Sequence, residues 1–500
     1  MEAILTVNSD IGTTITDLRL TNINNIDKAS YNGQIEFIDL DLAKFADNPK
    51  LGKISLKAAV NGSGFKIDNI NTTILGTVSN IDFKGYSYKD IKINGEFQNK
   101  KFDGFLSSND QNAKLEFKGL ADFSSETNKF DFTTDIENIN LSKINLYKRD
   151  SIAVLKGKIK LDIIGNTLDN IIGKARFENL TYTNSKKTFK FKEFEINSSL
   201  KDSIKTIRID SKDIVQGRLV GKFTFKQLIP VCKNALGSVY TNYTPIPVAP
   251  NQFVNFDFTI HNQIIDAFFP QISISKNTKI KGKINSNKNS VKLNFSSPKL
   301  DLYKNVIDSI VLRLDNKNTL YNTHLTADKI ATKYYEINKF NLLNKTVNDT
   351  LFFKSAFKGG KKLKEDFNLN FFYTIDSTHK SVIGFQKSTF NHNNFNWVIN
   401  PKENKNNKVS YILKDNNFSI SPFLITSKEQ SVEFSGDILG DNFKDLKSKF
   451  TNIKLKGIIP KLESLNLGGT LNGVIKLKEK NGIIAPIANL TVNDVLVNDF

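Results

Sequence analysis

Residue types that could catalyse a reaction or bind a metal are present in this chain, but their spacing matches no familiar site. The single cysteine, Cys232, allows neither an intrachain disulfide nor a Cys₂His₂ zinc site. The glycines spaced four apart have Leu or Ile, not serine, at the centre, which excludes a nucleophile elbow: Gly217/Gly221, Gly436/Gly440 and Gly469/Gly473. The four histidines share no metal-ligand spacing, and we expect them in turns or on the surface: His261, His324, His379 and His392.

Two shorter patterns could bind an ion or a phosphate group. Asp39, Asp41 and Asp47 suggest a calcium loop, but an EF-hand that began at Asp39 would have no ligand at its fifth and twelfth positions. We expect these aspartates to flank the end of a strand and the start of a helix. Gly62 and Gly64 in NGSGF are not followed by a helical pattern, which favours a turn or a bulge. The sequence therefore predicts a protein that is not an enzyme and that has no cofactor or metal.

The net charge of +19 comes almost wholly from lysine, because the chain has 64 Lys and only six Arg. A basic protein can bind nucleic acid, but base recognition and phosphate forks depend on Arg, and the six arginines form no cluster. Weak attraction to an anionic membrane surface is a second possibility. The simplest interpretation is that lysines fill the solvated faces of strands. We predict no nucleic-acid partner.

The elements that must position any site are strands, because apolar and polar residues alternate along most of the chain. In GKIKLDI the apolar residues fall at every second position, and the same pattern recurs in about 30 segments separated by Asn, Asp, Gly, Lys and Ser turns. One face of these strands is apolar and rich in Phe, of which the chain has 39. The residues predicted to line that face are Ile91, Ile93, Phe97, Leu115, Phe117, Ile159, Leu161, Ile163, Phe223, Phe225, Phe256, Phe258, Val291, Leu293, Phe295, Leu369, Phe371, Leu471, Ile475 and Leu477.

Helical patterns are few and short. We predict helices at Asp41 to Pro49, at Phe225 to Tyr240 with an end near Gly237, in IIDAFFP, and at Asp441 to Phe450. The proline-rich segment TPIPVAP, from Thr244 to Pro250, is the best internal boundary and divides the chain into residues 1–243 and 251–500.

The absence of a 40-to-50-residue repeat disfavours a propeller, and the unbroken alternation disfavours separate sandwiches. The predicted fold is all-β: a long, continuous, curved, antiparallel-rich sheet with a few short helices. About 30 strands side by side would extend roughly 140 Å. A sheet of that size is expected to curl over its apolar face into a groove, which side chains or an apolar ligand must fill.

Three stretches carry a resemblance to a known family: GQIEFIDLDLAKFADNPKLGKISLKAAVNGSGF, GYSYKDIKINGEFQNKKFDGFLSSND and GGTLNGVIKLKEKNGIIAPIANLTVNDVLVNDF. They resemble the TamB translocation and assembly module proteins, particularly those of Bacteroidetes. The resemblance implies an AsmA-like β-groove that crosses the periplasm of a Gram-negative bacterium. It also implies an inner-membrane anchor upstream and a terminal domain that docks a TamA-like outer-membrane barrel. Because Met1 is followed by no signal-like segment and the last residues, TVNDVLVNDF, resemble a strand, we expect a segment of a longer protein.

The leading functional hypothesis is a bridge-like conduit for phospholipids, in which acyl chains slide along the apolar lining while headgroups stay in water. A second hypothesis is an assembly factor that offers strand edges to outer-membrane proteins or autotransporters. A third, a surface β-solenoid or adhesin, would need outer aromatic clusters, and the chain has one Trp, Trp397.

Overall fold

The structure is a computed structural model of the 500-residue chain that describes residues 1–25, 29–66, 69–211, 213–239, 243–261, 265, 269, 271–360, 363–458 and 467–497. The described residues form 32 strands of one antiparallel sheet and a few short helices, so the predicted all-β class, long sheet and strand number are confirmed. The chain divides into two compact units. The first comprises Met1–Phe225 and Phe258–Phe268, and the second comprises Lys226–Asp257 and Phe269–Phe500.

In the first unit each strand pairs antiparallel with the next along the chain, from β1 to β14. The strands are β1 (Glu2–Ser9), β2 (Gly12–Thr21), β3 (Ser30–Asp41), β4 (Leu51–Ser63), β5 (Asn71–Phe83), β6 (Tyr86–Gln98), β7 (Lys101–Asp110), β8 (Ala113–Asp122), β9 (Lys129–Asn140), β10 (Ala153–Ile164), β11 (Ile172–Asn184), β12 (Thr188–Lys201), β13 (Ile204–Asp210) and β14 (Val215–Lys222).

β15 (Phe253–Ile260) begins in the second unit and ends in the first. The other strands of the second unit are β16 (Ile272–Ile274), β17 (Thr278–Asn285), β18 (Ser290–Leu302), β19 (Asn305–Asp315), β20 (Thr323–Ala331), β21 (Glu336–Val347), β22 (Thr350–Gly359), β23 (Glu365–Ile375), β24 (Ser381–Phe385), β25 (Ser388–His392), β26 (Phe395–Ile399), β27 (Lys408–Ile412), β28 (Asn417–Ser427), β29 (Gln430–Leu439), β30 (Phe443–Lys454), β31 (Leu467–Lys480) and β32 (Ile483–Val497).

The second unit is also largely a meander, with two departures. Near its start, β16 pairs with β18 rather than with β17. From β17 to β23 and from β28 to β32 each strand pairs with the next. Between these runs, β24 and β25 both pair with β23, and β26 and β27 both pair with β28. The ladder therefore divides into two short branches, joined by the pairs β24–β27 and β25–β26, and then closes again.

Asparagine and aspartate turns explain how so many hairpins form. Several hairpins have two-residue loops in which both residues have positive φ, the geometry that matches the right-handed twist of paired strands. Asn and Asp adopt this conformation more readily than most residues. The loops of this kind are Asn99–Lys100, Asp202–Ser203, Tyr303–Lys304, Asn348–Asp349 and Asn393–Asn394.

The helices are α1 (Leu42–Ala46), α2 (Phe225–Gly237) and α3 (Leu455–Ile458). The Asp41 carboxylate caps α1 by accepting the backbone N–H groups of Ala43 and Lys44 at 3.0 and 3.2 Å. This confirms the expectation for Asp41, which ends β3 and caps the start of α1. Asp47 lies at the other end of that helix. Helix α2 ends at Gly237, as its sequence predicts. The predicted helix IIDAFFP (264–270) lies almost wholly outside the described residues.

The predicted helix at Asp441 to Phe450 is wrong, because Phe443–Lys454 forms β30. Phe443, Leu446 and Phe450 have helix-like spacing, but β30 is paired on both sides, and Leu446 lies between Gly436 and Leu477 of the neighbouring strands. Pairing on both edges outweighs the weak local helical preference.

Candidate functional site

In the first unit, the predicted apolar residues of strands β6 to β10 come together on one face. Residues directly opposite each other on paired strands lie on the same face of a sheet, so the registers define rows that cross the strands. The longest row contains Ile93, Leu106, Phe117, Thr134, Ile159, Phe177 and Phe194. We call this surface the first apolar face. Its other rows contain the remaining predicted residues of these strands: Ile91, Phe97, Leu115, Leu161 and Ile163.

Aromatic rings and glycines shape this face. Phe117 and Phe132 have ring centroids 4.7 Å apart, and Phe177 stacks on Phe194 at 4.3 Å. Gly95 pairs with Gly104, and a Cβ added to Gly95 would lie 2.9 Å from the ring of Phe102. A side chain at Gly95 would meet both the Phe102 ring and the backbone of the paired strand, which favours glycine at this position.

The predicted residues Phe223 and Phe225 lie off the strands. Phe223 follows β14 and is buried, whereas Phe225 is the first residue of α2, and their rings meet edge to face at 5.4 Å. Phe258, the other predicted residue of this unit, lies on β15 and is half-buried.

In the second unit a corresponding surface, the second apolar face, is built on β17 to β24. One row contains Ile280, Phe295, Leu312, Leu325, Leu342, Ser355 and Leu369. The adjacent row contains Gly282, Leu293, Leu314, Thr323, Asn344, Phe353, Phe371 and Phe385. The predicted residue Val291 pairs with Ile284 beside these rows, and the ring of Phe256 lies over Gly282.

Aromatic contacts carry the second apolar face past the branch in the ladder. Phe371 contacts Phe385 at 5.9 Å, and Phe385 contacts Phe423 of β28 edge to face at 5.5 Å. From there the row continues through Phe434 and Ser448 to the predicted residue Ile475, flanked by the predicted Leu471 and Leu477. A second ladder of rings lies nearby: Phe340, Phe357, Phe367, Phe390 and Trp397.

The degree of burial is the most informative property of both faces. Ile91, Phe223 and Val291 are buried, and the other seventeen predicted residues are half-buried rather than covered. The apolar side chains therefore contact their neighbours within the sheet but keep part of their surface accessible.

The opposite face of the first unit is charged. Lysines and an arginine pair with acids on adjacent strands at 2.6 to 3.2 Å: Lys114–Glu137, Lys158–Asp135, Lys160–Glu178, Lys174–Glu195 and Arg176–Glu193. Solvent-exposed pairs of this kind add little stability singly. Their position shows that lysines occupy the solvated side of this sheet.

Two polar interruptions of the apolar faces were missed from the sequence. Lys205 shares a side of β13 with Ile207 and Ile209, is 4 % exposed, and donates to the carbonyl of Leu168 at 2.5 Å. Burial lowers the pKa of Lys205, and the charge of Asp169 opposes that shift. In the second unit Lys444 pairs with the buried Glu479 beside Leu446 and Leu477. The sequence pattern could have identified both residues, since Lys205 and Glu479 occupy apolar positions of the two-residue alternation.

A cluster of His392, Glu365 and Tyr335 has the composition of an acid–base site. The Glu365 carboxylate accepts from the Tyr335 hydroxyl and meets His392 Nδ1, both at 2.7 Å. Burial and the carboxylate raise the pKa of Tyr335, which keeps its proton on the phenol. Because Glu365 begins β23 and His392 ends β25, the cluster links the ends of neighbouring elements.

Within the described ranges, no three His, Cys, Asp or Glu residues are close enough to hold a metal ion. None of the helices in that part of the chain combines the length and the apolar character of a membrane span. Comparisons with known proteins found no matching family model, no similar curated protein and no similar solved structure.

Proposed function

We propose that this chain holds phospholipid acyl chains on its two apolar faces and belongs to a periplasmic, bridge-like protein that conducts phospholipids between the inner and outer membranes. The observation that supports the proposal is the incomplete burial of the rows: their side chains are aligned across many strands, yet most remain half-buried. An apolar surface of this extent marks an interaction site.

The energetics suit movement better than tight binding. Each CH₂ group removed from water contributes about 0.8 kcal/mol, and most strands along a row offer an aliphatic or phenyl contact, with a few polar positions such as Thr134 and Ser355 between them. An acyl chain that advances by one strand, about 4.8 Å, exchanges one set of contacts for an equivalent set. Lateral movement needs no bond to be made or broken, so the proposed activity requires no catalytic residue.

The cellular context is proposed from the resemblance to TamB proteins alone. That resemblance implies the inner-membrane anchor, the TamA-like barrel and the periplasmic location. The lysine-rich solvated side of the first unit is compatible with headgroups and water outside the rows.

A photo-crosslinker tests lipid contact at single positions. We expect a benzophenone amino acid at Phe117 or Phe371 to capture phospholipid from the producing cell, detectable by mass spectrometry of the purified protein. Lys118 and Asn368 are matched controls, since each lies on the same strand as its test residue but on the opposite side and is exposed. Equal capture at test and control positions, or none at Phe117 and Phe371, would overturn the proposal.

An assembly factor for outer-membrane proteins is the second candidate, and strand β32 favours it. All fifteen residues of Ile483–Val497 are exposed, including Ile483 at 75 % and Ile484 at 61 %. In the described part of the chain β32 pairs only with β31, so its other edge could take an added strand. Ile163→Lys on the first apolar face should stop lipid capture and leave client assembly intact. Ile487→Lys on β32 should impair client assembly and leave lipid capture intact.

A further inference from the structure

A pocket of about 670 Å³ lies entirely within the second unit, where α2 packs over one end of the second apolar face. The helix contributes Lys233, Leu236 and Gly237 to its lining. The strands contribute Leu314, Tyr373 and Ile375, among others. Leu314 pairs directly with Leu293, and Tyr373 lies two residues beyond Phe371 on β23. The pocket therefore adjoins one end of the second apolar face, the surface proposed to hold acyl chains.

Buried asparagines fix the helical wall of this pocket. Asn234, 6 % exposed, donates from Nδ2 to the carbonyl of Ile246 and accepts from the Tyr243 hydroxyl and the Ile246 N–H, all at 2.8 Å. Asn316, 7 % exposed, donates to the carbonyl of Ala235 at 2.5 Å and accepts the Val291 N–H at 2.9 Å. Asn316, which follows β19, therefore joins α2 to the sheet, and Asn234 joins the helix to the segment that follows it.

Gly237 gives the wall its shape. A Cβ at this position would lie 2.5 Å from the ring of Tyr243, so only glycine lets that ring lie against the helix. The ring and the exposed side chains of Leu236 and Ile246 make the mouth of the pocket apolar.

The polar part of the lining carries one cationic and one anionic side chain. Lys233, the one cationic side chain in the lining, is exposed and has no ion-pair partner among the described residues. Asp349 contributes the one carboxylate. The amide of the buried Asn344 donates to the carbonyl of Phe352 at 3.3 Å, and the amide oxygen of Asn322 accepts the Thr346 N–H at 2.7 Å, so these two groups are already paired. A cation and an anion beside an apolar floor match a group that carries both a phosphate and an ammonium.

Resting on the proposed lipid function, we propose that this pocket binds the headgroup of a phospholipid with an amine-bearing, zwitterionic head, with the phosphate at Lys233 and the ammonium towards Asp349. Small-ligand pockets span about 300–1,000 Å³, so this volume holds a headgroup and the start of one acyl chain. The rest of the chain extends past Tyr373 onto the second apolar face at Phe371.

The test uses oleoyl lysophosphatidylethanolamine and, as a neutral ligand with the same acyl chain, monoolein, titrated by calorimetry below their aggregation concentrations. Lys233→Gln should raise the Kd for the lysophospholipid about tenfold or more, since it removes a charge-assisted hydrogen bond. The Kd for monoolein should stay unchanged. The matched control is Lys226→Gln, an exposed lysine on the same helix outside the pocket, and it should alter neither value. Asp349→Asn should weaken the binding of lysophosphatidylethanolamine. It should leave the binding of lysophosphatidylglycerol unchanged, because that lipid has no ammonium.

A crosslinker at Leu236 separates this inference from the proposed function. Capture of the lysophospholipid at Leu236 as well as at Phe371 supports the headgroup site. Capture at Phe371 and Phe117 without capture at Leu236, or equal effects of Lys233→Gln and Lys226→Gln, overturns the headgroup site while the lipid surface stands. Absence of capture at all three positions overturns both.

Discussion

Replacing Phe371 by alanine tests whether the second apolar face is a lipid surface or an ordinary protein core. Phe371 is half-buried and contacts two rings, stacking on Phe353 at 4.8 Å and approaching Phe385 at 5.9 Å. Its two aromatic pairs contribute about 0.5–1.5 kcal/mol each, in addition to the apolar area that the side chain buries, and full burial of a Phe side chain contributes about 1.5–3 kcal/mol. A Phe→Ala change in a close-packed core costs about 3–5 kcal/mol. We therefore expect Phe371→Ala to lower the free energy of unfolding by about 3 kcal/mol, close to the lower end of the core range, so the response to lipid has to separate the two interpretations.

The second unit contains both a probe and a control for this measurement. Trp397, the only tryptophan, is 4 % exposed and stacks near Phe390, so its fluorescence follows unfolding of this unit in urea. Ile453, which is fully buried in the same unit, serves as the core reference. Ile453→Ala should cost about 2–5 kcal/mol and should not depend on lipid.

Lipid dependence separates the two interpretations further. A ligand at 100 times its Kd stabilises the folded state by about 2.7 kcal/mol. We expect oleoyl lysophosphatidylethanolamine to stabilise the wild type and the Ile453→Ala variant by the same amount, and Phe371→Ala by less. If the gain of Phe371→Ala with lipid equals that of the wild type, the face is a packed core and the reasoning fails.

Three further substitutions test individual features of the two units. Lys205→Met should raise the melting temperature of the first unit at neutral pH. Because burial lowers the pKa of Lys205 in the folded state, wild-type stability should rise with pH between that lowered pKa and the ordinary value of 10.5, and pH-dependent thermal melts of the Met variant should lack that rise. Gly473→Ala should cost more than Gly440→Ala in urea melts, since Gly473 has φ 133° and a Cβ there would lie 2.1 Å from the carbonyl oxygen of Asn489, whereas Gly440 faces open space. Glu479→Leu should destabilise the second unit by about 3 kcal/mol through the unpaired Lys444, and adding Lys444→Leu should recover most of that loss; a double variant no more stable than the single one would show that the ion pair itself stabilises the sheet.

Most of the fold could be predicted from the sequence because a two-residue alternation specifies strand and face together. GKIKLDI and FNLNFFYTI place Ile163 and Phe371 on the faces where the structure has them, with no knowledge of partners. The segment Asp441 to Phe450 failed because the spacing of three apolar residues suits a helix locally, while the deciding interactions are with β29 and β31. These pairings cannot be predicted from the segment alone, because they depend on the sequences of the two neighbouring strands.

The two apolar faces were predictable from the sequence, whereas the pocket beside α2 was not. Alternation indicates which side chains share a face, but the α2 pocket depends on register across β19 to β23 and on hydrogen bonds between Asn234 and residues 12 positions away. The predicted boundary at Thr244 to Pro250 stays a prediction. Part of this segment, Thr244 and Ile246, lines the pocket, whereas the division into compact units falls after Phe225 and within β15.

The polar residues within the apolar rows limit where an acyl chain can lie. In the first unit Thr134 interrupts the longest row, but Phe132 of the next row contacts Phe117 at 4.7 Å and provides an apolar bypass. Lys205, by contrast, places a buried amine on the same side as Ile207 near the last strands of that unit. The Lys205 amine already donates to the carbonyl of Leu168, and an acyl chain beside it would bury the amine further without giving it a hydrogen bond. On the proposed function, an acyl chain on the first apolar face is therefore best accommodated across β6 to β12, where apolar and aromatic contacts predominate, and Lys205 marks the polar limit of that stretch.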